Sequence, residues 1–233
     1  MKQQGEPADL VIPPTDDLDK RNLQQVELLG FPYQIYQFKS GQTVTQDTQF
    51  LFNTIMDKCQ ENELRVLELG SGTGVLSILL KLHHPGWDIT GMEIQEQLYN
   101  LSQINASTCN LGLHFIHGDL KELVNDVKLA KFDLIMSNPP YFKIGEHRLS
   151  PNREKAISRH EVLCTMDDIL QAVHAKLIKN GKAFIAYPTS RINELKSKIK
   201  YIDLQVIAEF SLSDDSHDTT DKTVIVELTN AHH

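Results

Sequence analysis

The chain has 233 residues, 40% of them hydrophobic and 23% charged, with a formal net charge of −8. That length supports one sizeable core, and no apolar run approaches the roughly 18 residues needed to cross a bilayer. The acidic balance excludes indiscriminate nucleic-acid binding, which depends on neutralising phosphates. Cys59, Cys109 and Cys164 are odd in number and share no metal-ligand spacing, and the first six residues carry no apolar signal region. Reduced thiols, no metal and a cytoplasmic setting are therefore expected.

Residues up to about 19 are polar and carry prolines, and read as a loose lead-in. Positions 31–38 alternate bulky and polar side chains, the pattern of a strand, and Ser40-Gly41 follows as a turn. Thr45 or Asp47 can cap a helix carrying Phe50, Leu51, Ile55 and Met56. From Leu64 onward short apolar strands alternate with helical segments. Strands are expected at 65–69, 87–92, 113–117, 132–137, 182–187, 204–210 and 223–228. Helices are expected at 75–82, 97–109, 166–178 and 192–199, with a short one near 121–129. Such alternation requires right-handed βαβ crossovers and a mainly parallel sheet, an α/β doubly wound fold. The acidic, hydroxyl-rich stretch 211–222 reads as a mobile loop.

Gly70-Ser71-Gly72-Thr73-Gly74 lies between a strand and a helix, where the backbone turns tightly and a ligand can approach without a Cβ in the way. Dinucleotide-binding folds share this logic, so the loop needs further support. Glu93 ends the next strand, 19 positions past Gly74, where a carboxylate can accept from two ribose hydroxyls. Asp119, after the third strand, is placed to accept from an adenine amino group. Ile94 and Leu120 adjoin these two acids and are counted with them. Glu68, two residues before the first glycine, sits badly beside a pyrophosphate. It suits the cationic methionine end of S-adenosylmethionine, directly or by orienting the loop. The bland alternative is that Glu68 only caps backbone amides and Glu93 is a solvated strand end.

Asn138-Pro139-Pro140-Tyr141 closes the apolar run 132–137. An exocyclic amine conjugated to a ring is a poor nucleophile, because its lone pair is delocalised. The Asn138 side-chain oxygen and the Pro139 carbonyl can grip its hydrogens, and the prolines fix φ so that this carbonyl is held. Tyr141 can stack on the ring. Positioning and pre-organised hydrogen bonds then carry the catalysis, with no dedicated general base. The combined motifs point to methyl transfer from S-adenosylmethionine onto a planar nitrogen. His114 and His117 lie three apart in a strand, point to opposite faces and cannot chelate together; His83 and His84 read as structural.

The span 17–228 resembles the bacterial methyltransferases that modify the 6-amino group of adenosine 37 in valine tRNA, compact Firmicutes-type members above all. The resemblance rests on Ser137-Asn138-Pro139-Pro140-Tyr141-Phe142, then Ala156-Ile157-Ser158-Arg159-His160-Glu161, then a helix beginning Cys164-Thr165-Met166. It implies a Rossmann-like class I methyltransferase with a seven-stranded sheet and an antiparallel last strand, preceded by a short N-terminal extension. The expected division is 1–63 for the extension and 64–233 for the catalytic domain. It implies cofactor contacts at Glu68, Gly70, Gly72, Glu93, Asp119 and Asn138, and an adenine grip from Asn138 to Tyr141. Asp47 in Thr45-Gln46-Asp47-Thr48 matches the family's Gly-Thr-Asp-like stretch near the methionine end, with Gln in place of a small residue.

A tRNA partner needs a local basic surface. Between 142 and 160, Lys143, Arg148, Arg153, Lys155 and Arg159 face only Glu146 and Glu154, and between 191 and 200 four basic residues face Glu194. Either run can equally be a solvated face. One rival is a protein glutamine methyltransferase, whose side-chain amide suits the same grip. Those enzymes usually carry a helical domain in front, whereas 63 residues beginning with a strand-like run precede Leu64 here. Another rival is a non-catalytic RNA-binding module, which intact Glu68, Glu93, Asp119 and Asn138 disfavour.

Overall fold

The computed structural model describes residues 22–28, 30–39, 45–139, 164–211 and 222–230. In chain order the elements are β1 (Leu23–Glu27), β2 (Gln34–Phe38), α1 (Gln46–Lys58), β3 (Arg65–Leu69), α2 (Val75–His83), β4 (Asp88–Glu93) and α3 (Glu96–Thr108). They continue with β5 (His114–His117), β6 (Phe132–Ser137), α4 (Met166–Lys176), β7 (Leu177–Pro188), α5 (Ile192–Ile199), β8 (Leu204–Ser211) and β9 (Thr223–Asn230). Strands β3 to β9 form a seven-stranded sheet in the order β5-β4-β3-β6-β7-β9-β8. The pairings among β3 to β7 are parallel, and β9 runs antiparallel to both its neighbours. This is the expected α/β, Rossmann-like sheet with its last strand reversed.

Strand parity decides what each residue touches, because successive side chains leave opposite faces. On β3, Leu67 and Leu69 join Ile135, Ile185 and Val226 beneath Ile169, Leu170 and Val173 of α4 and Leu195 of α5. Val66 turns the other way, with Leu134, Met136, Phe184 and Ile225, against Leu51 and Ile55 of α1 and Leu76 and Leu80 of α2. Burying each such side chain stabilises the fold by ~1.5–3 kcal/mol relative to leaving it in water. Helices on both faces explain why the central strands read as continuous apolar runs.

Helix ends follow their caps. Thr45 accepts from the Thr48 N–H at 3.2 Å to start α1, as its sequence position suggests. A reciprocal box of Thr165 and Asp168 starts α4. Trp87 is fully buried, donates to the Glu61 carbonyl at 2.8 Å and stacks on His84 at 4.1 Å. His83 packs against Phe31 and Phe52. Both histidines make ring contacts, His84 half-buried and His83 at the surface.

Several elements differ from expectation. β1 was not anticipated: its polar alternation becomes a strand because β2 supplies a partner, with Leu23 opposite Phe38. The expected strand at 31–38 begins only at Gln34, since Phe31 and Pro32 complete the turn after Gly30 at φ 85°. The expected helix near 121–129 is a single 3-10 stretch, Leu120–Val124. The helix expected to reach residue 178 ends at Lys176, because Leu177 leaves it to pair with Phe132. Asn180-Gly181, a dipeptide typical of turns, sits inside β7, at an irregularity where the pairing with β9 shifts between Lys179 and Lys182. The loop expected at 211–222 falls almost wholly outside the described residues.

Candidate active site

The sheet reverses its winding between β3 and β6. From β3 the chain crosses to β4 and then β5 on one side, and from β6 to β7 on the other. Carboxyl ends of parallel strands at such a switch point flank a crevice. Register places the ends level, with Leu69 opposite both Met92 and Ser137, and Glu93 opposite His117. Gly70, Glu93 and Asn138 are therefore level at the end of the sheet. The Ser137 hydroxyl donates to the Leu69 carbonyl at 2.8 Å and ties the two walls at their base.

The glycine loop forms one wall. Gly70, Gly72 and Gly74 have φ of 74°, 55° and 79°, a region costly for residues with a Cβ. A Cβ at Gly70 or Gly72 would meet no atom within 4 Å, so the loop backbone borders open space there. Gly74 is different: its Cβ would lie 2.9 Å from the Phe115 ring, so it is a packing glycine. Both the Gly70 and Ser71 N–H groups donate to the Met92 carbonyl at 2.9 Å. Asn105 of α3, fully buried, donates to the carbonyls of Thr73 (2.9 Å) and Tyr36 (3.0 Å) and accepts from the Tyr36 N–H (2.7 Å). The N-terminal hairpin is thereby clamped to the loop.

Two carboxyls lie behind the loop, each only about 5–6% exposed. Parity sends Glu68 to the α2 side of the sheet, where Ser77 Oγ donates to its Oε2 at 2.5 Å. Gly74, the α2 N-cap, offers no side chain, so Glu68 caps that helix from the neighbouring strand. Burial pushes the Glu68 carboxyl up to about 8, against the Ser77 hydrogen bonds, with nearby Glu93 adding to the rise. Glu93 Oε2 accepts from the Gly72 N–H and Oε1 from the Gln95 N–H, each at 2.8 Å. Burial again raises its pKa, and those backbone donors oppose the rise. Asp119 is half-buried and caps the stretch starting at Leu120, with Oδ1 accepting from the Lys121 N–H at 3.0 Å and Oδ2 facing Lys121 Nζ at 3.3 Å.

Asn138 starts the other wall, half-buried, ahead of buried Pro139. Its Nδ2 donates to Thr48 Oγ1 at 3.3 Å. Asp47, the neighbour of Thr48, accepts from Thr223 Oγ1 at 2.5 Å, which docks the start of α1 onto the start of β9. Pro140 and Tyr141 lie outside the described residues, as do Lys143, Arg148, Arg153, Lys155 and Arg159. Sequence reasoning missed Thr48, Ser77 and Asn105. A hydroxyl near the start of a helix that follows an uncapped glycine turn was a usable signal for Ser77. Nothing local pointed to Asn105.

The crevice fits S-adenosylmethionine. Open space borders Gly70 and Gly72, Ser71 Oγ is buried without a hydrogen-bond partner, and Glu93, held by the Gly72 and Gln95 N–H groups, keeps a carboxyl directly behind the loop. Among the described residues no helix is long and apolar enough to cross a membrane, and no group of three or more His, Cys, Asp or Glu is arranged to hold a metal.

Known proteins resemble this chain in sequence and in fold. The chain is 27% identical over 134 residues to a tRNA1(Val) (adenine(37)-N6)-methyltransferase of Porphyromonas gingivalis, a match covering 56% of this chain and 52% of that one. It is 30% identical over 100 residues to a release factor glutamine methyltransferase of Enterococcus faecalis, covering 43% and 35%. The chain thus spans about half, or less, of the curated relatives it matches. Among solved structures, a Thermus thermophilus 16S rRNA N2 methyltransferase in complex with AdoMet and guanosine shares the fold. Its TM-score is 0.61 at 18% identity, over 90% of this chain and 50% of that one. A Pyrococcus furiosus methyltransferase aligns at a TM-score of 0.63 and 16% identity, over 88% and 92%. The sequence pattern of the methyltransferase small domain matches residues 38–185, glycine loop and Asn138 included, and the chain belongs to that family.

Proposed function

We propose that this chain transfers a methyl group from S-adenosylmethionine to the exocyclic 6-amino group of an adenine in tRNA, with adenosine 37 of valine tRNA as the first candidate. The observation that carries the reading is the crevice itself, with the glycine loop and buried acids on one wall and Asn138 level with them on the other. When bound, S-adenosylmethionine supplies an electrophilic methyl group on a sulfonium. The rest falls to the chain. Gly70 and Gly72 admit the cofactor against bare backbone, Gly74 turns the chain into α2, and Glu93 and Asp119 accept from the cofactor's sugar and base. Ser71, Thr73, Ile94 and Leu120 line that site, and Asp47 lies at its methionine end. Glu68 stiffens the loop through Ser77 rather than reaching the ligand. Asn138 Oδ1 and the Pro139 carbonyl grip the amine, and Pro140 and Tyr141 complete the acceptor side. The methylated nitrogen loses its extra proton readily, so no side-chain base is needed.

Adenine is favoured over a protein glutamine because the tRNA-methyltransferase match extends further along the chain. The segment before β3 supports this too, since its described residues form a hairpin and one helix rather than a helical domain. The division into 1–63 and 64–233 belongs to the same proposal, supported by the separate two-stranded sheet of β1 and β2, as does action in the cytoplasm, where tRNA is available. RNA affinity is assigned to Lys143, Arg148, Arg153, Lys155 and Arg159. Incubation with labelled S-adenosylmethionine and total tRNA, followed by nucleoside analysis, tests the reading. Label in N6-methyladenosine is expected. Label on a release-factor glutamine, with none in RNA, hands the case to the protein substrate.

A further inference from the structure

We infer that Thr48, in the first turn of α1, is a positioning residue that decides which end of the Asn138 amide faces the methyl acceptor. The inference rests on the proposed role of Asn138. A primary amide has two ends of similar shape and opposite polarity, and rotation about its last bond is roughly two-fold. Only the oxygen end can accept from an amine; the nitrogen end would set donor against donor. Something outside Asn138 must break the tie.

Thr48 Oγ1 is 3.3 Å from Asn138 Nδ2. It also lies 3.2 Å from Thr45 Oγ1, whose oxygen accepts the Thr48 backbone N–H at 3.2 Å. A hydroxyl has one proton and spare lone pairs. With that proton on Thr45, Thr48 presents a lone pair to Asn138, and the NH2 end turns towards it. The chain then runs from Asn138 Nδ2–H to Thr48 Oγ1–H to Thr45 Oγ1, and Oδ1 is left for the acceptor. The opposite direction would have the Thr48 hydroxyl donate to Oδ1 and occupy the acceptor's partner. Thr48 is held for this task, because α1 is seated by buried Leu51 and Ile55 and by the bond between Thr223 and Asp47.

The test compares wild type, Thr48→Val, Thr48→Ala and Thr48→Ser as full-length protein, with labelled S-adenosylmethionine and total tRNA. Loss of one neutral hydrogen bond predicts a kcat lower by ~3- to 10-fold in the valine and alanine variants. The S-adenosylhomocysteine dissociation constant and the KM for RNA should be unchanged, and serine should restore kcat. Wild-type or raised kcat in both the valine and alanine variants overturns the inference, as does a loss of S-adenosylhomocysteine affinity in step with kcat. If valine unfolds the protein, alanine decides. Wild type inactive on RNA but active on a glutamine peptide refutes the adenine reading alone. The ratio of each variant to wild type on that peptide then decides for Thr48.

Discussion

Glu68 shows how one residue can be read from its neighbours. Buried behind the loop, it titrates at about 8 instead of the ordinary 4.5. The folded state therefore holds this proton more tightly than the unfolded chain does. Its contribution to stability is fully present below pH 4.5 and is lost as the pH rises through 8. Glu68→Gln keeps a neutral side chain at every pH. Melting temperatures followed from pH 5 to 9 without cofactor should fall more steeply for wild type than for the variant; parallel curves would remove Glu68 as the cause. Glu93 supports a second prediction, since both its oxygens already accept from backbone N–H groups. Glu93→Gln sets an NH2 against one of those donors, so S-adenosylhomocysteine binding by calorimetry should weaken by about 1–3 kcal/mol. At Asn138, alanine removes the contact assigned to the reacting amine. A barrier rise of roughly 2.7–4 kcal/mol is expected in steady-state kinetics, with circular dichroism unchanged. Turnover at the wild-type rate would place the amine elsewhere.

At the scale of elements, the site depends on contacts between segments that are distant in the chain. The hairpin is tied to the glycine loop through α3, by way of the three hydrogen bonds of Asn105. Asn105→Leu has similar volume but leaves the Tyr36 N–H and two carbonyls without their partner. Destabilisation of at least ~1–3 kcal/mol is expected in urea unfolding, together with weaker S-adenosylhomocysteine binding because the loop loses its anchor at Thr73. Unchanged unfolding would mean that the hairpin is held by its apolar contacts alone, Leu28 and Ile35 against α2 and Phe38 against α3. Gly91 on β4 serves the same assembly. A Cβ there would lie 2.6 Å from Phe115 and 2.8 Å from the Ser71 Cβ, so glycine lets the loop settle onto the strand.

For the molecule as a whole, the net charge of −8 sets the terms of any encounter with RNA. Long-range repulsion must be overcome by a few local cations, and each phosphate neutralised steepens the salt dependence of binding. Reversing Lys143 and Arg153 should weaken tRNA affinity and flatten its salt slope by about one to two, while S-adenosylhomocysteine binding stays as in wild type. Equal salt slopes for variant and wild type would take the 142–160 stretch out of the RNA surface.

Much of this architecture was legible locally. The strands at Arg65–Leu69 and Phe132–Ser137 and the helix at Ile192–Ile199 match their expected bounds, because apolar runs and caps are properties of neighbouring residues. The glycine loop was legible for the same reason, its demand for positive φ being written in residue type. β1 was not, because a polar strand exists only by virtue of its partner. The long β7 was missed because Asn180-Gly181 signals a turn whether it lies between elements or within one. By itself the sequence determined the alternation of elements, the loop and the Asn138 motif. Tertiary structure alone decided that Glu68 faces Ser77, that Asn105 joins hairpin to loop, and that Thr48 meets Asn138 ninety positions away. Those are choices of strand order and face: Glu68 and Ser77 share one stretch but meet only because strand parity turns Glu68 towards α2, and the other two pairs lie in separate segments.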